Sequence, residues 1–205
     1  RKTSEISQVN VIVDIFRSTT TIPIILKQGA SYIVPFKDAM DALNYTRSHP
    51  GTILIGEKYG IKPPFFDYDN SPSEIADADL SGKVVAFTST NGMHVLDKIR
   101  YGRIFIASIV NFHSTVETLR DYDDISIMPS NRPVGKASED NIFANLLKEE
   151  LEKKDPDIER YIKEIIISND KYVGKISKED LKYCTSLDYA NFTVTVENGK
   201  IIKYG

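Results

Sequence analysis

The stretch from Val11 to Thr21, VIVDIFRSTTT, combines side chains that can bind an anion and a metal ion. Its apolar residues are typical of a buried strand, but Asp14 interrupts them and Arg17 follows. A carboxylate inside a protein is unfavourable by several kcal/mol unless a cation or metal ion compensates its charge. Ser18 to Thr21 then offer hydroxyl groups where a helix is expected to begin. We therefore predict an anion-binding, metal-assisted active site at this joint.

Polar side chains also follow the other predicted strands. After the third to sixth strands come Glu57, Lys58, Asp67, Asp69, Asn70 and Ser71; Thr88, Ser89, Thr90, Asn91 and Gly92; Ser108 and Asn111; and Arg132, Lys136, Ser138, Glu139 and Asp140. In parallel α/β sheets, ligands bind beyond the carboxyl ends of the strands, where loops and helix N-termini converge. We therefore expect these side chains to meet at one edge of the sheet.

The side-chain types in this set indicate the ligand. Carboxylates suit Mg²⁺, which prefers oxygen ligands and keeps several of its waters. Hydroxyl groups and helix-opening N–H groups suit phosphate or sulfonate oxygens. Arg17 offers a bidentate guanidinium and Lys58 a point charge for the same anion. The predicted ligand is a small anionic substrate, bound by Ser18, Thr19, Lys58, Asn70, Ser89, Thr90, Asn91, Gly92 and Ser108.

Strands alternate with helices, which is typical of an α/β protein with a largely parallel sheet covered on both faces. The predicted strands are Val9 to Phe16, Ser31 to Pro35, Thr52 to Glu57, Lys83 to Thr88, Arg103 to Ala107 and Ile125 to Met128. The predicted helices are Thr19 to Gln28, Lys37 to Ser48, Met93 to Tyr101, one that follows a turn at Ser108 to Asn111 and ends near Arg120, Ser138 to Lys153 and, interrupted at Gly174, Asp155 to Ser186. Glu197-Asn198-Gly199 predicts a hairpin, so the sheet is expected to be mixed. We predict a layered α/β/α fold in one domain, residues 1–205.

The composition argues against several classes of protein. With 41% hydrophobic and 27% charged residues, the 205-residue chain is typical of a folded globular protein. A net charge of −3 without a Lys/Arg block argues against a nucleic-acid partner. No apolar stretch resembles a signal peptide or a membrane span, and the single cysteine, Cys184, excludes an internal disulfide. We expect a cytoplasmic protein with no membrane partner, and a homodimer remains open.

Each of these features also has a structural explanation. Asp14 can cap the following turn, or Arg17 can simply neutralise it. Runs of hydroxyl residues are common at helix N-termini, and we expect Ser138 to be the N-cap of its helix. Glu139-Asp140 can serve only to complement the helix dipole. From these residues alone, Asp14 remains either a cap or a metal ligand.

Four segments, taken in order, resemble the motifs of the 2-phosphosulfolactate phosphatase family. They are DIFRSTTT, which begins at Asp14; GEKYG and FDYDNSP, which begin at Gly56 and Phe66; STNG, which begins at Ser89; and SEDNIFAN, which begins at Ser138. The tail EDLKYCTSLD is similar to the family's C-terminal segment, including Cys184. The resemblance spans nearly the whole chain.

This resemblance implies a Mg²⁺-dependent phosphatase that removes phosphate from 2-phosphosulfolactate, a step in coenzyme M biosynthesis. It also implies an α/β fold with the site in a cleft between two similar lobes, here residues 1–80 and 81–205. The positions that fall on the family's motifs are Asp14, Arg17, Ser18, Thr19, Glu57, Asp67, Asn70, Ser89, Asn91, Gly92 and Asp140.

Three departures from the family pattern bear on activity. Asp69 stands where the family has a glycine, which adds negative charge beside the proposed anion site. Met128 to Asn131 replaces a Cys-Ala-Gly-like segment, and Phe143 replaces a second cysteine. If either cysteine takes part in the chemistry, we expect this chain to be slower, altered in substrate or inactive.

We predict that Asp14, Glu57 and Asp140 hold the Mg²⁺, and that Asp14, Arg17 and Glu57 are the catalytic residues. Arg17 and the hydroxyl groups would offset charge on the transferring phosphoryl group. Attack by water is favoured over phosphorylation of Asp14, because Phe16 stands where aspartyl-phosphate phosphatases have a second Asp. The rival hypotheses are a non-catalytic anion-binding protein, a phosphatase for another phospho-acid, and a structural protein with Arg17 and Glu57 far apart.

Overall fold

The computed structural model describes residues 9–130, 137–170 and 176–205, which form one mixed sheet with helices packed against it. The strands are β1 (Val9–Val13), β2 (Tyr32–Phe36), β3 (Ile53–Gly56), β4 (Val84–Thr88), β5 (Arg103–Ala107), β6 (Ile125–Pro129), β7 (Val194–Glu197) and β8 (Lys200–Lys203). The helices are α1 (Ser18–Lys27), α2 (Ala39–Ser48), α3 (Pro72–Ala76), α4 (Gly92–Lys98), α5 (Phe112–Leu119), α6 (Ser138–Leu151), α7 (Ile158–Asp170) and α8 (Lys178–Cys184). A 3₁₀ turn, Ile109–Asn111, precedes α5.

The sheet consists of two parallel groups of strands joined by an antiparallel hairpin. Its strand order is β3-β4-β2-β8-β7-β5-β1-β6. Strands β2, β3 and β4 run parallel to one another, and so do β1, β5 and β6. The hairpin β7–β8 pairs antiparallel with both groups, at β5 and at β2. The two groups therefore run in opposite directions through the sheet.

This topology corrects the expectation that the functional loops follow strands ending at one sheet edge. Along the sheet, β1 and β4 belong to the oppositely directed groups. Neighbouring strands are rotated by roughly 20–25°, and several such steps separate β4 from β1. Across this twisted sheet the loop after β1 meets the turn after β4, where Ser18 Oγ lies 2.6 Å from Ser89 Oγ.

Helices cover both faces of the sheet, because successive residues of one strand enter different buried clusters. Phe105 of β5 packs with residues of α5, α6 and α7, whereas Ile106 packs with residues of α1 and α3. Helix α1 is buried from Ser18 to Leu26. Its hydroxyl groups must therefore find hydrogen-bond partners inside the protein.

The structure confirms the α/β fold class and the C-terminal hairpin. Asn198 and Gly199, at the tip of the hairpin, have φ angles of 50° and 73°. An Asn-Gly pair adopts such left-handed conformations readily, which favours a tight turn between two strands.

Most predicted element boundaries are shifted by a few residues, and two corrections concern elements of the site. Strand β1 ends at Val13 rather than Phe16, because the next two N–H groups donate to side chains of Thr19 and Asp140. Helix α6 begins at Ser138, but its N-cap is Ala137, and no side chain caps it there. The predicted break at Gly174, and the polar residues Asn131, Arg132 and Lys136, lie outside the described residues. None of the helices in the described ranges is long and apolar enough to cross a membrane.

We predict that Cys184 does not react with a thiol reagent such as DTNB in the native protein. The side chain is fully buried, and burial raises the pKa of its thiol above the ordinary value, which disfavours the reactive thiolate. Thiol release at about pH 8 should be negligible for the folded chain and reach one equivalent in guanidinium chloride, since the chain has one cysteine. Rapid reaction of the native protein would contradict the burial.

Candidate active site

The turn between β1 and α1 is held by its own backbone and by threonine side chains. The Asp14 N–H donates to Thr19 Oγ1 at 3.0 Å, and the Thr19 N–H donates to the Asp14 carbonyl at 2.9 Å. The Thr20 hydroxyl donates to the Ile15 carbonyl at 3.0 Å. These threonines fix the turn. The prediction that Thr19 binds the substrate is not supported, because its hydroxyl oxygen accepts the Asp14 N–H.

A carboxylate from the distant helix α6 fixes the same turn. The Ile15 N–H donates to Asp140 Oδ1 at 2.7 Å, and Asp140 is only 1% exposed. Hydrogen bonds to an ionised carboxylate are shorter and stronger than those between neutral groups. Asp140 therefore anchors the turn from its buried side.

Asp14 lies in a buried group formed by three loops, the polar centre, which consists of Asp14, Ser18, Asn70 and Ser89. The Ser18 hydroxyl donates to Asp14 Oδ2 at 2.9 Å, and Asn70 Nδ2 donates to Ser18 Oγ at 3.3 Å. Ser18 Oγ also lies 2.6 Å from Ser89 Oγ. Since the single hydroxyl hydrogen of Ser18 goes to Asp14, Ser89 must donate to Ser18. A directed chain of hydrogen bonds thus ends on Asp14.

The other end of this chain is the backbone of the turn after β4. The Gly92 N–H donates to Ser89 Oγ at 3.3 Å. A Cβ atom at Gly92 would lie 2.9 Å from Ser18 Cβ and 3.0 Å from Asp14 Oδ2. The two loops approach so closely that only glycine fits there without displacing one of them.

One acceptor of the polar centre has no partner. Asn70 is 2% exposed, and its Oδ1 makes no hydrogen bond within the described part of the chain. Leaving a buried acceptor unsatisfied is unfavourable by about 1–3 kcal/mol. This oxygen marks a place where a ligand donor or a cation would be stabilised.

Glu57, which follows β3, organises the loops on the other side. Its carboxylate accepts hydrogen bonds from the Thr90 N–H at 2.6 Å, the Thr90 hydroxyl at 3.0 Å and the Gly60 N–H at 2.6 Å. The Tyr59 N–H in turn donates to Thr90 Oγ1 at 2.7 Å. Glu57 therefore ties the loop after β3 to the turn after β4.

Arg17 is held between two carboxylates. Its Nη1 lies 3.1 Å from Asp69 Oδ2 and 3.1 Å from Asp180 Oδ2. The peptide bond between Phe16 and Arg17 is cis. The structural alternative, in which Arg17 neutralises Asp14, is not what the structure shows. Arg17 pairs instead with Asp69 and Asp180, which belong to two distant segments.

Burial controls the electrostatics of Asp14. Desolvation raises the pKa of its carboxyl group from 3.8 to about 6, with further increases from the charges of Glu57 and Glu139. The hydrogen bond from Ser18 opposes this rise. The carboxylate is thus kept in a negatively charged environment that favours a nearby cation.

These groups surround one cleft of about 800 Å³. Its lining residues are Asp14, Phe16, Arg17, Ser18, Glu57, Tyr59, Gly60, Asp69, Asn70, Ser71, Glu74, Ser89, Thr90, Asn91, Ile176, Ser177 and Asp180. Arg17 and Glu57 line the same cleft, which argues against the structural-protein hypothesis. A smaller groove of about 370 Å³, between Lys27 and Ser81, contains none of the predicted site residues.

Five predicted site residues lie outside this lining, namely Thr19, Lys58, Gly92, Ser108 and Asp140. Lys58 Nζ is paired at 3.0 Å with Asp38 on the exposed surface. Ser108 is fully buried, and its N–H donates to Asn111 Oδ1 at 2.9 Å. Sequence position alone does not separate such supporting residues from those that face the cleft.

The predicted metal-binding trio is not assembled. Within residues 9–130, 137–170 and 176–205, no three His, Cys, Asp or Glu side chains are close enough together to hold a metal ion. Asp140 lies on the buried side of the turn, and Glu57 already accepts three hydrogen bonds. Of the predicted trio, Asp14 and Glu57 line the cleft, and Asp140 does not.

Asp180 is a site residue that the sequence does not single out. It lies near the start of α8, lines the cleft and holds Arg17. The tail segment EDLKYC resembles the family's C-terminal segment, but this resemblance alone gives its carboxylates no role. Only the fold shows that this residue lies beside Arg17.

The two cysteine departures fall in different settings. Phe143 is fully buried in the cluster formed by β1, β5, α5, α6 and α7, so it packs in the core. Met128 and Pro129 belong to β6, which pairs with β1, and Ser130 donates its N–H to the Val13 carbonyl at 2.7 Å. The position of Asn131 is outside the described residues.

Comparison with known proteins agrees with the motifs. A model of the 2-phosphosulpholactate phosphatase family matches residues 1–199. A Thermoplasma acidophilum protein named "Probable 2-phosphosulfolactate phosphatase" is 53% identical over 203 residues, 99% of this chain and 92% of the relative. A Thermoplasma volcanium protein of the same name is 54% identical over 202 residues, 98% of this chain and 95% of the relative. A Methanocaldococcus jannaschii protein named 2-phosphosulfolactate phosphatase is 33% identical over 146 residues, which cover 68% of this chain and 62% of the relative.

We predict that Gly92→Ala destabilises the protein by about 1–3 kcal/mol, the usual effect of forcing a methyl group into a filled site. The free energy of unfolding in urea measures this. Gly51→Ala is the control, because a Cβ there would meet nothing within 4 Å, although its φ of 86° adds backbone strain. We expect the fold around Asp14 to be disturbed only in the Gly92 variant, as seen by the near-ultraviolet circular dichroism. Wild-type stability of Gly92→Ala would contradict the close approach of the two loops.

Proposed function

This chain belongs to the 2-phosphosulfolactate phosphatase family, and we propose that it hydrolyses 2-phosphosulfolactate, or a related small phospho-acid, to the hydroxy acid and phosphate. The observation that carries this proposal is the cleft in which the polar centre, ending on Asp14, lies with Arg17. Such a cleft offers a cation for an anionic ester and a buried carboxylate for metal-assisted chemistry. A role in coenzyme M biosynthesis and a cytoplasmic location are part of the same proposal.

Arg17 is proposed to neutralise the phosphoryl group. Both of its carboxylate contacts use Nη1, so within the described part of the chain Nε and Nη2 remain for a ligand. A guanidinium held in place before the substrate arrives stabilises developing charge without reorganising. In phosphoryl transfer, such positioning and electrostatic stabilisation do most of the work.

The residues of the polar centre fit a Mg²⁺ ion that keeps most of its ligands as water. Mg²⁺ in phosphate-processing sites is commonly held by one or two carboxylates together with substrate oxygens. Asp14 supplies a carboxylate in a negatively charged setting, and Asn70 Oδ1 supplies a buried oxygen without a partner. When bound, the ion would supply a Lewis acid that neutralises charge on the phosphoryl oxygens.

Water is the proposed nucleophile. Its oxygen forms a bond to phosphorus as the ester P–O bond breaks, and the released hydroxy acid takes up a proton at the former ester oxygen. A phosphorylated Asp14 would need a second acid two residues on, where the apolar Phe16 lines the cleft instead. The hydrogen bond from Ser18 also occupies Asp14 Oδ2.

We predict that the purified protein releases phosphate from 2-phosphosulfolactate in the presence of Mg²⁺, that EDTA abolishes the release, and that added Mg²⁺ restores it. A colorimetric phosphate assay measures this, with a panel of other phosphorylated hydroxy acids for comparison. Release from another panel member alone would favour the alternative substrate. No release from any ester would favour the non-catalytic anion-binding alternative, and full activity in EDTA would remove the metal from the mechanism.

We predict that Asp14→Asn lowers kcat/KM by at least about 100-fold, the loss typical of removing one group that stabilises the transition state. Because the pKa of Asp14 is higher in the folded protein than in the unfolded chain, ionisation of this carboxyl group lowers the free energy of unfolding above pH 6. The variant, measured without metal by urea unfolding, should therefore be at least as stable as wild type. Asp38→Asn, which changes a surface carboxylate paired with Lys58, is the control and should retain activity. Wild-type activity of Asp14→Asn would exclude both proposed roles of Asp14.

A further inference from the structure

The charges that line the cleft are unusual for a site that takes an anion. Among the described lining residues, Arg17 is the only cation, and the carboxylates are Asp14, Glu57, Asp69, Glu74 and Asp180. Two of these, Asp69 and Asp180, contact the arginine itself. An anionic substrate must therefore meet an arginine whose Nη1 is already shared.

The two partners of Arg17 are held very differently, and Asp180 is the fixed one. Its side chain is 4% exposed. Its Oδ1 accepts hydrogen bonds from the Ser71 hydroxyl at 2.7 Å, the Ser73 N–H at 3.0 Å and the Ser73 hydroxyl at 2.7 Å. A buried carboxylate with this many donors cannot leave without stranding them. Asp180 thus anchors the guanidinium.

Asp69 is the partner that can be displaced. Its side chain is 25% exposed, and apart from Arg17 the described contacts of its carboxylate are with the adjacent Asn70 N–H, at 2.7 Å. Its own N–H donates to Glu74 Oε2 at 2.9 Å, so the backbone stays in place if the side chain turns away. The residue directly precedes Asn70 of the polar centre and lines the cleft.

We propose that Asp69 is a built-in competitor for the anionic group of the substrate. In the resting site its carboxylate pairs with Arg17 Nη1, so an anion that binds the same guanidinium must either displace Asp69 or bind beside its negative charge. A dianionic phosphate can replace a single carboxylate with a gain in Coulomb energy, whereas a monoanion only exchanges one equal charge for another. Asp69 therefore lowers affinity in general and selects against singly charged ligands, a specificity achieved by repulsion.

This inference rests on the proposed function only in that the cleft takes an anion, so the test uses inorganic phosphate and needs no turnover. We expect Asp69→Asn to bind phosphate about five-fold more tightly than wild type by isothermal titration calorimetry, the change that corresponds to an ion pair at the upper end of the range for partly exposed pairs. Asparagine can still accept the Asn70 N–H. We also expect acetate, a monoanion, to compete with phosphate in the variant and not in wild type.

Glu74→Gln is the matched control, because it removes one negative charge from the same cleft without touching Arg17, and its amide oxygen can still accept the Asp69 N–H. Its phosphate affinity should change by less than about two-fold. Equal gains in both variants would overturn the proposal in favour of a general charge effect. Unchanged, weaker or absent phosphate binding by Asp69→Asn, with urea unfolding as the fold control, would also overturn it. Failure of phosphate release from esters, with these binding results intact, would instead count against the phosphatase proposal alone.

Discussion

The hydrogen-bond chain that ends on the buried carboxylate of Asp14 is the constraint around which this site is arranged. A charged group in such a place must be compensated, and the Ser18 and Ser89 hydroxyls supply only part of that compensation. Because the compensation is incomplete, burial raises the pKa of the Asp14 carboxyl group to about 6. The close packing that makes the chain possible also explains the glycine at position 92, where any side chain would strike Asp14 or Ser18.

The carboxylates of the site divide into those that build it and those that remain for a ligand. Asp140 accepts the N–H of Ile15, Glu57 accepts N–H groups from two loops, and Asp180 accepts from two serines while holding Arg17. Hydrogen bonds of this kind use the lone pairs that a metal ion would need. Asp14 is therefore the carboxylate best placed for the proposed metal ion, and Asp69 is a partly exposed charge beside Arg17.

The architecture explains how loops from oppositely directed strands share one cleft. An antiparallel hairpin separates the two parallel groups of the sheet, and twist accumulates across it. Helix α1 is buried from Ser18 to Leu26. The loop after β3 and the turn after β4 contact its first residue, Ser18, through Asn70 and Ser89. The position of Asp14 in the interior and the large desolvation of its carboxyl group follow from this arrangement.

The sequence by itself determined the α/β class, the hairpin at Asn198 and Gly199, and the polar joint at Asp14 between β1 and α1. Local patterns are sufficient for these, because strand and helix periodicity, turn residues and a charge inside an apolar run are all visible within a few residues. Only the tertiary structure decided which polar residues face the cleft. Thr19 and Asp140 lie on motif positions and carry oxygen atoms that could bind a ligand, yet both accept hydrogen bonds from the turn after β1. Asp180 contacts Arg17 although 163 residues of chain separate them. Such assignments depend on which backbone N–H groups the fold leaves without partners, and that is settled only when distant segments pack together.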